Sequence, residues 1–132
     1  ADLVEEVIRI YSPSNMSPRI AAVDTELAGV PIPKGSTLFV SWGSANRDEK
    51  RFPHADEFRC PNEAGKEHYG FGAGQHFCVG SRLARMTLAT SFKEFLNRYR
   101  AIELAVPESE LEFMPAINLR ALLSLPIRCT LK

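Results

Sequence analysis

Ten residues, Phe71-Gly72-Ala73-Gly74-Gln75-His76-Phe77-Cys78-Val79-Gly80, constrain this chain of 132 residues more than any others. The run has no apolar periodicity, so it fits neither a half-buried strand nor an amphipathic helix. It leads into a segment, Gly80 to about Arg98, where Leu83, Met86, Leu88, Ala89, Phe92, Phe95 and Leu96 recur near helical spacing. The chain must therefore pass through three glycines and set a lone thiol, Cys78, just before a helix N-terminus. Unpaired backbone N–H groups and the positive end of the helix dipole suit an anionic sulfur there. Gly72 and Gly74 permit backbone angles that other residues avoid. Gly80 lets the chain approach a bound group with no Cβ in the way. Such a loop is a poor way to build a core and a good way to present a thiolate to something flat and large.

Around this loop the pattern is α+β. Residues 2–11 read as a helix whose end is forced by Ser12-Pro13. Residues 19–42 read as short strands, with Leu27-Ala28-Gly29-Val30 as a tight hairpin turn and Ser36 to Trp42 as a β-rich strand. Residues 43–70 are turn-rich, with a short helix expected near 44–49, and a stretch this irregular inside a compact domain is usually functional. Residues 79–98 form the longest predicted helix, followed by strands at Ala101 to Leu104 and Asn118 to Leu131.

Composition narrows the classes. Net charge is zero, which gives no argument for nucleic acid. No window reaches the ~18 apolar residues of a membrane helix, and no signal peptide opens the chain. The three cysteines, Cys60, Cys78 and Cys129, show no pairing pattern, and an odd count fits a reducing cytoplasm better than a disulfide scaffold. Cys60 and Cys129 read as small buried or half-buried thiols. The chain opens Ala-Asp-Leu-Val, without a methionine and inside a predicted helix, which suggests a fragment or a processed chain.

The ten-residue run resembles the haem-ligand loop of the cytochrome P-450 family, Phe-x-x-Gly-x-x-x-Cys-x-Gly. His76, two residues before the cysteine, and Leu83-Ala84-Arg85 after it are similar to the soluble bacterial type; Val79 stands where the family often has leucine. Other segments agree in order. Glu6-Val7-Ile8-Arg9 matches Glu-x-x-Arg, a spacing that puts both charges on one helix face. Arg19 to Asp24 and Gly29 to Gly35 resemble the following hairpin. Ala45-Asn46-Arg47-Asp48, Arg51-Phe52-Pro53 and Asp56-Glu57-Phe58 resemble the irregular meander before the haem loop, and Leu125-Pro126-Ile127-Arg128 the terminal strand. The arginine that usually joins the Glu-x-x-Arg pair is missing: spacing points to Asn62, Arg59 is the nearest alternative, and the third member stays open.

The resemblance implies that residues 1–132 are the C-terminal, haem-binding part of a single, mainly α domain. It makes Cys78 the axial ligand of haem b, with Phe71 packed near the sulfur and Gly72 and Gly80 in the ligand loop. Arg19 and His76 would bind the two propionates, carboxylates that call for charge-assisted donors. Glu6 and Arg9 would be a structural ion pair beneath the loop. Asn15, Met16 and Ser17, with Asn118 and Leu119, would line the substrate pocket. Arg82 and Arg85, three apart on the helix after Cys78, would receive an acidic redox partner, Arg85 foremost. The implied activity is monooxygenation of a small organic substrate, with electrons from NAD(P)H through a reductase and a ferredoxin. The central helix that delivers protons and the distal wall of the pocket have no counterpart here, so the missing N-terminal part of the same enzyme is an expected partner. Two other readings stand beside this one: a non-catalytic haem-binding fragment, and a structural zinc domain built from Cys60, His68, His76 and Cys78. Zinc suffers on spacing, since no Cys-x-x-Cys or helical His pair is present.

Overall fold

Helix α1, Asp2–Tyr11, stops where the sequence says it must. Ser12 takes a positive φ of 24°, its N–H still reaches the Ile8 carbonyl at 2.9 Å, and its hydroxyl donates back toward the carbonyls of Arg9 and Ile8. The computed structural model describes residues 2–132.

After α1 come four short strands, β1 (Met16–Ile20), β2 (Thr25–Leu27), β3 (Val30–Ile32) and β4 (Thr37–Ser41). Strands β2 and β3 form the predicted hairpin, with Ala28 and Gly29 at φ of 51° and 81° as the tight turn requires. Strands β1 and β4 pair antiparallel around it, Met16 opposite Ser41 and Ile20 opposite Thr37. The short helix α2 lies at Trp42–Ala45, earlier than predicted, because Ser41 closes its start by accepting from the Ser44 N–H. An irregular meander follows to Gly80, broken by two 3₁₀ turns, Ala64–Glu67 and Gly74–His76. Helix α3 spans Ser81–Arg98 and runs directly into β5, Tyr99–Leu104, which pairs antiparallel with β6, Ile127–Leu131. The strand expected from Asn118 onward begins only at Ile127. Leu119 and Leu122 make single bridges to different partners, Ser14 and Phe113, so no ladder propagates between them.

The buried apolar residues are few: Val4, Ile8, Ile10, Ala21, Phe52 and Ala55. Among the described residues the buried polar ones equal them in number, namely Glu6, Arg9, Ser12, Asn46, His68 and Ser81. The interior around α1 is thus held as much by polar contacts as by apolar packing. Leu83, Met86, Phe95 and Leu96 on α3 are exposed.

Candidate functional site

The loop ahead of α3 is folded by its glycines. Gly72 and Gly74 have φ of 73° and 71°, a region that side chains disfavour. The loop then closes on itself: the Cys78 N–H donates to the Phe71 carbonyl at 3.0 Å, and the Cys78 carbonyl accepts from Ser81 at 3.2 Å, at the head of α3. Cys78 is exposed. Gly80 has an ordinary negative φ, and a Cβ there would stand 3.9 Å from the Cys78 sulfur.

A cavity of about 270 Å³ opens beside this thiol. Its lining includes Cys78, His76, Phe71 and Gly72 from the loop, Ser17 and Arg19 from β1, and Trp42 from α2. Strand β1 is held in place by β4 and by the Trp42 indole N–H, which donates to the Ser17 hydroxyl at 2.6 Å. One exposed sulfur and two basic side chains therefore share a single cavity, although they come from segments about 60 residues apart.

The other expected pocket residues divide. Ser17 lines the cavity beside Cys78, but Asn15 and Met16 line a second one of about 340 Å³ with Arg47, Ile117 and Arg120. Asn118 and Leu119 belong to neither lining. They act through backbone, with the Asn118 carbonyl accepting from the Asn15 N–H at 3.0 Å and Leu119 bridging Ser14.

Beneath the loop, Glu6 and Arg9 form a fully buried pair. Arg9 donates from Nε and Nη2 to the two Glu6 carboxylate oxygens at 2.8 and 2.7 Å. Its remaining N–H groups reach the carbonyls of Asn46, Ala55 and Glu57 at 2.9, 2.7 and 3.0 Å, and its guanidinium lies over the Phe52 ring. Both candidates for the third member contribute. The Asn62 side chain donates to Glu6 Oε2, and the Arg59 backbone N–H donates to Oε1, each at 2.9 Å. Burial alone would raise the Glu6 pKa; the hydrogen bond from Arg9, those from Arg59 and Asn62, and the Arg9 charge outweigh it and hold the carboxyl below the ordinary value.

Two further residues carry the frame that sequence reasoning did not single out. Asn46 is fully buried, donates to the Ser12 hydroxyl at 2.8 Å and accepts from the Tyr69 N–H at 2.6 Å, so it ties the end of α1 to the start of the loop. Gly70 passes so close to α1 that a Cβ would meet Ile8 Cγ2 at 2.4 Å. The Gly70-Phe71-Gly72 alternation was the available signal for that approach.

Arg85 is not on a free, solvated face. Its guanidinium makes a two-pronged pair with Glu5, at 2.7 and 2.9 Å, and lies 4.5 Å from the Phe71 ring centroid. Of the two arginines expected to meet a partner, Arg82 alone is exposed. His68 is buried between the same Glu5, at 3.1 Å, and the Gly70 N–H, which donates to Nδ1 at 3.0 Å. Burial lowers the His68 pKa, and the neighbouring Glu5 only partly offsets this. The four residues of the zinc reading are not gathered, and among the described residues no group of three His, Cys, Asp or Glu side chains is placed to hold a metal.

The chain as a whole is similar to known proteins. The family model "Cytochrome P-450" matches residues 2–125. Over its whole length the chain is 40% identical to Cytochrome P-450 109 of Bacillus spizizenii, of which it covers 32%. Over 95% of its length it is 34% identical to 6-deoxyerythronolide B hydroxylase of Saccharopolyspora erythraea, covering 31% of that protein. Its fold superposes on CxnD, a cytochrome P-450 enzyme for C–S bond formation in chuangxinmycin biosynthesis, with a TM-score of 0.92 and 37% identity, covering 99% of this chain and 32% of that one. The chain thus spans about a third of the length of these relatives. A family model that matches nearly the whole chain, together with relatives at 34–40% identity, shows that the chain belongs to the cytochrome P-450 family.

Proposed function

We propose that this chain is the haem-binding, proximal part of a haem-thiolate monooxygenase acting on a small organic substrate. The supporting observation is the sharing of one cavity by Cys78, Arg19 and His76. The donor set fits iron protoporphyrin: a soft sulfur for the iron, two basic side chains for two carboxylates, and glycines where side chains would crowd a flat ring. When bound, haem supplies the oxygen chemistry, and an axial Cys thiolate favours O–O cleavage.

The chain's own residues have separable tasks in this reading. Cys78 would hold the haem iron through its sulfur, its backbone N–H fixed by the Phe71 carbonyl. Phe71, in the same lining as Cys78, would pack near the sulfur and help exclude water once haem is bound, tuning the metal through its surroundings. Arg19 and His76 orient the ring through its propionates. Glu6 and Arg9 fix the meander on which the loop rests. Ser17, in the lining beside Cys78, would border the substrate, with Asn15 and Met16 next to it in the chain and Asn118 and Leu119 joined to that segment through backbone contacts. Arg82 is the exposed cation available to an acidic electron carrier; electrons from NAD(P)H through a ferredoxin and its reductase complete the scheme. The exposed apolar residues of α3 suit a packed neighbour, and the upstream part of the same enzyme is the partner we assign. Among the described residues no helix is long and apolar enough to cross a membrane, and a cytoplasmic setting belongs to the same proposal.

The test is the absorption spectrum of the haem-loaded, reduced, CO-bound protein. A thiolate-type band that disappears in Cys78→Ala supports the reading. A band that survives Cys78→Ala overturns it.

A further inference from the structure

Glu5, His68 and Arg85 lie outside the cavity and have no task in the reaction just proposed. Arg85 and His68 both face Phe71, and Glu5 holds both of them. Arg85, from α3, lies over the Phe71 ring at 4.5 Å and is fixed there by the two-pronged bond to Glu5 of α1. His68 is held between Glu5 and the Gly70 N–H, and its ring centroid stands 5.7 Å from that of Phe71. Because Gly70 donates to Nδ1, the hydrogen at the Glu5 side is on Nε2; His68 thus spans two fixed points in one tautomer. The Phe71 carbonyl in turn accepts the Cys78 N–H. An unbroken path of contacts therefore runs from the α1 carboxylate to the backbone of the sulfur-bearing residue.

We propose that Glu5, His68 and Arg85 form a positioning network that fixes Phe71, and through it sets the place of the Cys78 sulfur. The geometry is suited to this and poorly suited to a purely global role. A fork of two parallel bonds sets the plane of the guanidinium as well as its distance, and that plane stacks on the ring. Lysine at the same place keeps the charge and loses both features. The side-chain exposures of the three, 15% for Glu5, 0% for His68 and 34% for Arg85, keep the pairings partly or wholly out of water, where they are stronger.

The inference rests on the haem-thiolate reading only for its second measurement. The first uses the chain without haem: amide hydrogen exchange at Cys78 in the wild type, Glu5→Gln and Arg85→Lys. Exchange at Cys78 should quicken by about tenfold or more, the change equivalent to ~1.4 kcal/mol. Amides in the middle of α3 and in β5 should keep their wild-type rates. Glu26→Gln, at an exposed carboxylate on β2, is the control and should change neither. The second measurement is the thiolate-type CO band and the reduction potential of the haem-loaded variants. Both should shift in Glu5→Gln and Arg85→Lys. Unchanged Cys78 exchange in both variants overturns the network. So does acceleration spread equally over α3 and β5, which would mean plain destabilisation. If the wild type never gives a thiolate-type band, the haem reading has failed, and the exchange rates still decide the network.

Discussion

Replacing Arg9 by alanine tests the polar frame most severely. Arg9 is 0% exposed and makes five hydrogen bonds, two to Glu6 and one each to the carbonyls of Asn46, Ala55 and Glu57. Breaking a buried pair by removing one partner costs about 3–5 kcal/mol, because a charge is left without compensation. Each carbonyl deprived of its donor adds about 1 kcal/mol or more, even if water enters the void. The total, roughly 6–8 kcal/mol, is comparable with the whole stability of a small domain, about 5–15 kcal/mol. Arg9→Ala should therefore lose its cooperative urea transition, read by the fluorescence of the single tryptophan, Trp42, which stacks on Tyr69 at the end of the frame. Arg9→Lys keeps the charge with three donors in place of five, and should cost about 2–4 kcal/mol. An isolated buried pair can often be exchanged for apolar residues at little cost. Here Glu6→Leu/Arg9→Met would also take the acceptor from the Arg59 N–H and the donor from three carbonyls. It should be no more stable than Arg9→Lys. A double variant as stable as wild type would refute the view that this pair caps backbone rather than merely balancing charge.

Three other outcomes are expected. Cys78→Ala should abolish thiolate-ligated haem, while Cys60→Ala and Cys129→Ala leave the CO spectrum unchanged; a requirement for Cys60 instead would move the site. His76→Leu should weaken haem retention about tenfold or more without changing the axial ligand, since a hydrogen bond to a charged group contributes about 1.5–3 kcal/mol; equal haem affinity would remove His76 from the propionates. Stability should fall in acid in two steps, measured as urea midpoints against pH. Burial lowers the folded pKa of His68, so the unfolded chain binds its proton first as pH drops below the ordinary histidine value of 6.5. Glu5 and Glu6 are also lowered, so their contribution is present above 4.5 and is lost as pH falls through their folded values. A midpoint constant from pH 7 to pH 3 would contradict all three shifts.

The sequence made some of this structure legible and hid the rest for identifiable reasons. Local signals were sufficient for α1, the β2–β3 turn, α3 and the cysteine loop, because Ser12-Pro13, Ala28-Gly29 and the glycines act within a few residues. The Glu6–Arg9 pair was visible from its spacing. Its neighbours were harder: Arg59 contributes through a backbone N–H, so its side chain carried no signal, and Asn62 uses an amide where a charge was expected. The packing of Arg85 was not legible, since helical spacing gives the direction of a side chain but not what packs there. Its partner Glu5 is 80 residues away, a pairing that no local pattern encodes. His68 looked like a metal ligand by residue type, yet its two nitrogens are both engaged, by Glu5 and by Gly70.

The adjacency of Glu5 and Glu6 explains how one short helix can hold two unlike segments. Successive residues on an α-helix point about 100° apart, so two neighbouring carboxylates need not share surroundings. Glu6 turns to Arg9, Arg59 and Asn62 and fastens the meander; Glu5 turns to Arg85 and His68 and fastens α3 and the cysteine loop. Among the described residues no buried side-chain nitrogen or oxygen lacks a partner. A polar interior that is fully satisfied favours one arrangement over its near neighbours, because any shift leaves a buried group unpaired. Apolar packing is more forgiving of small slides. A metal ligand has to be placed to fractions of an ångström, and the cysteine loop is fastened to α1 mainly through such contacts. The apolar face of α3 is a different kind of surface, tolerant of whatever packs there, so its substitution should alter association before it alters the position of Cys78.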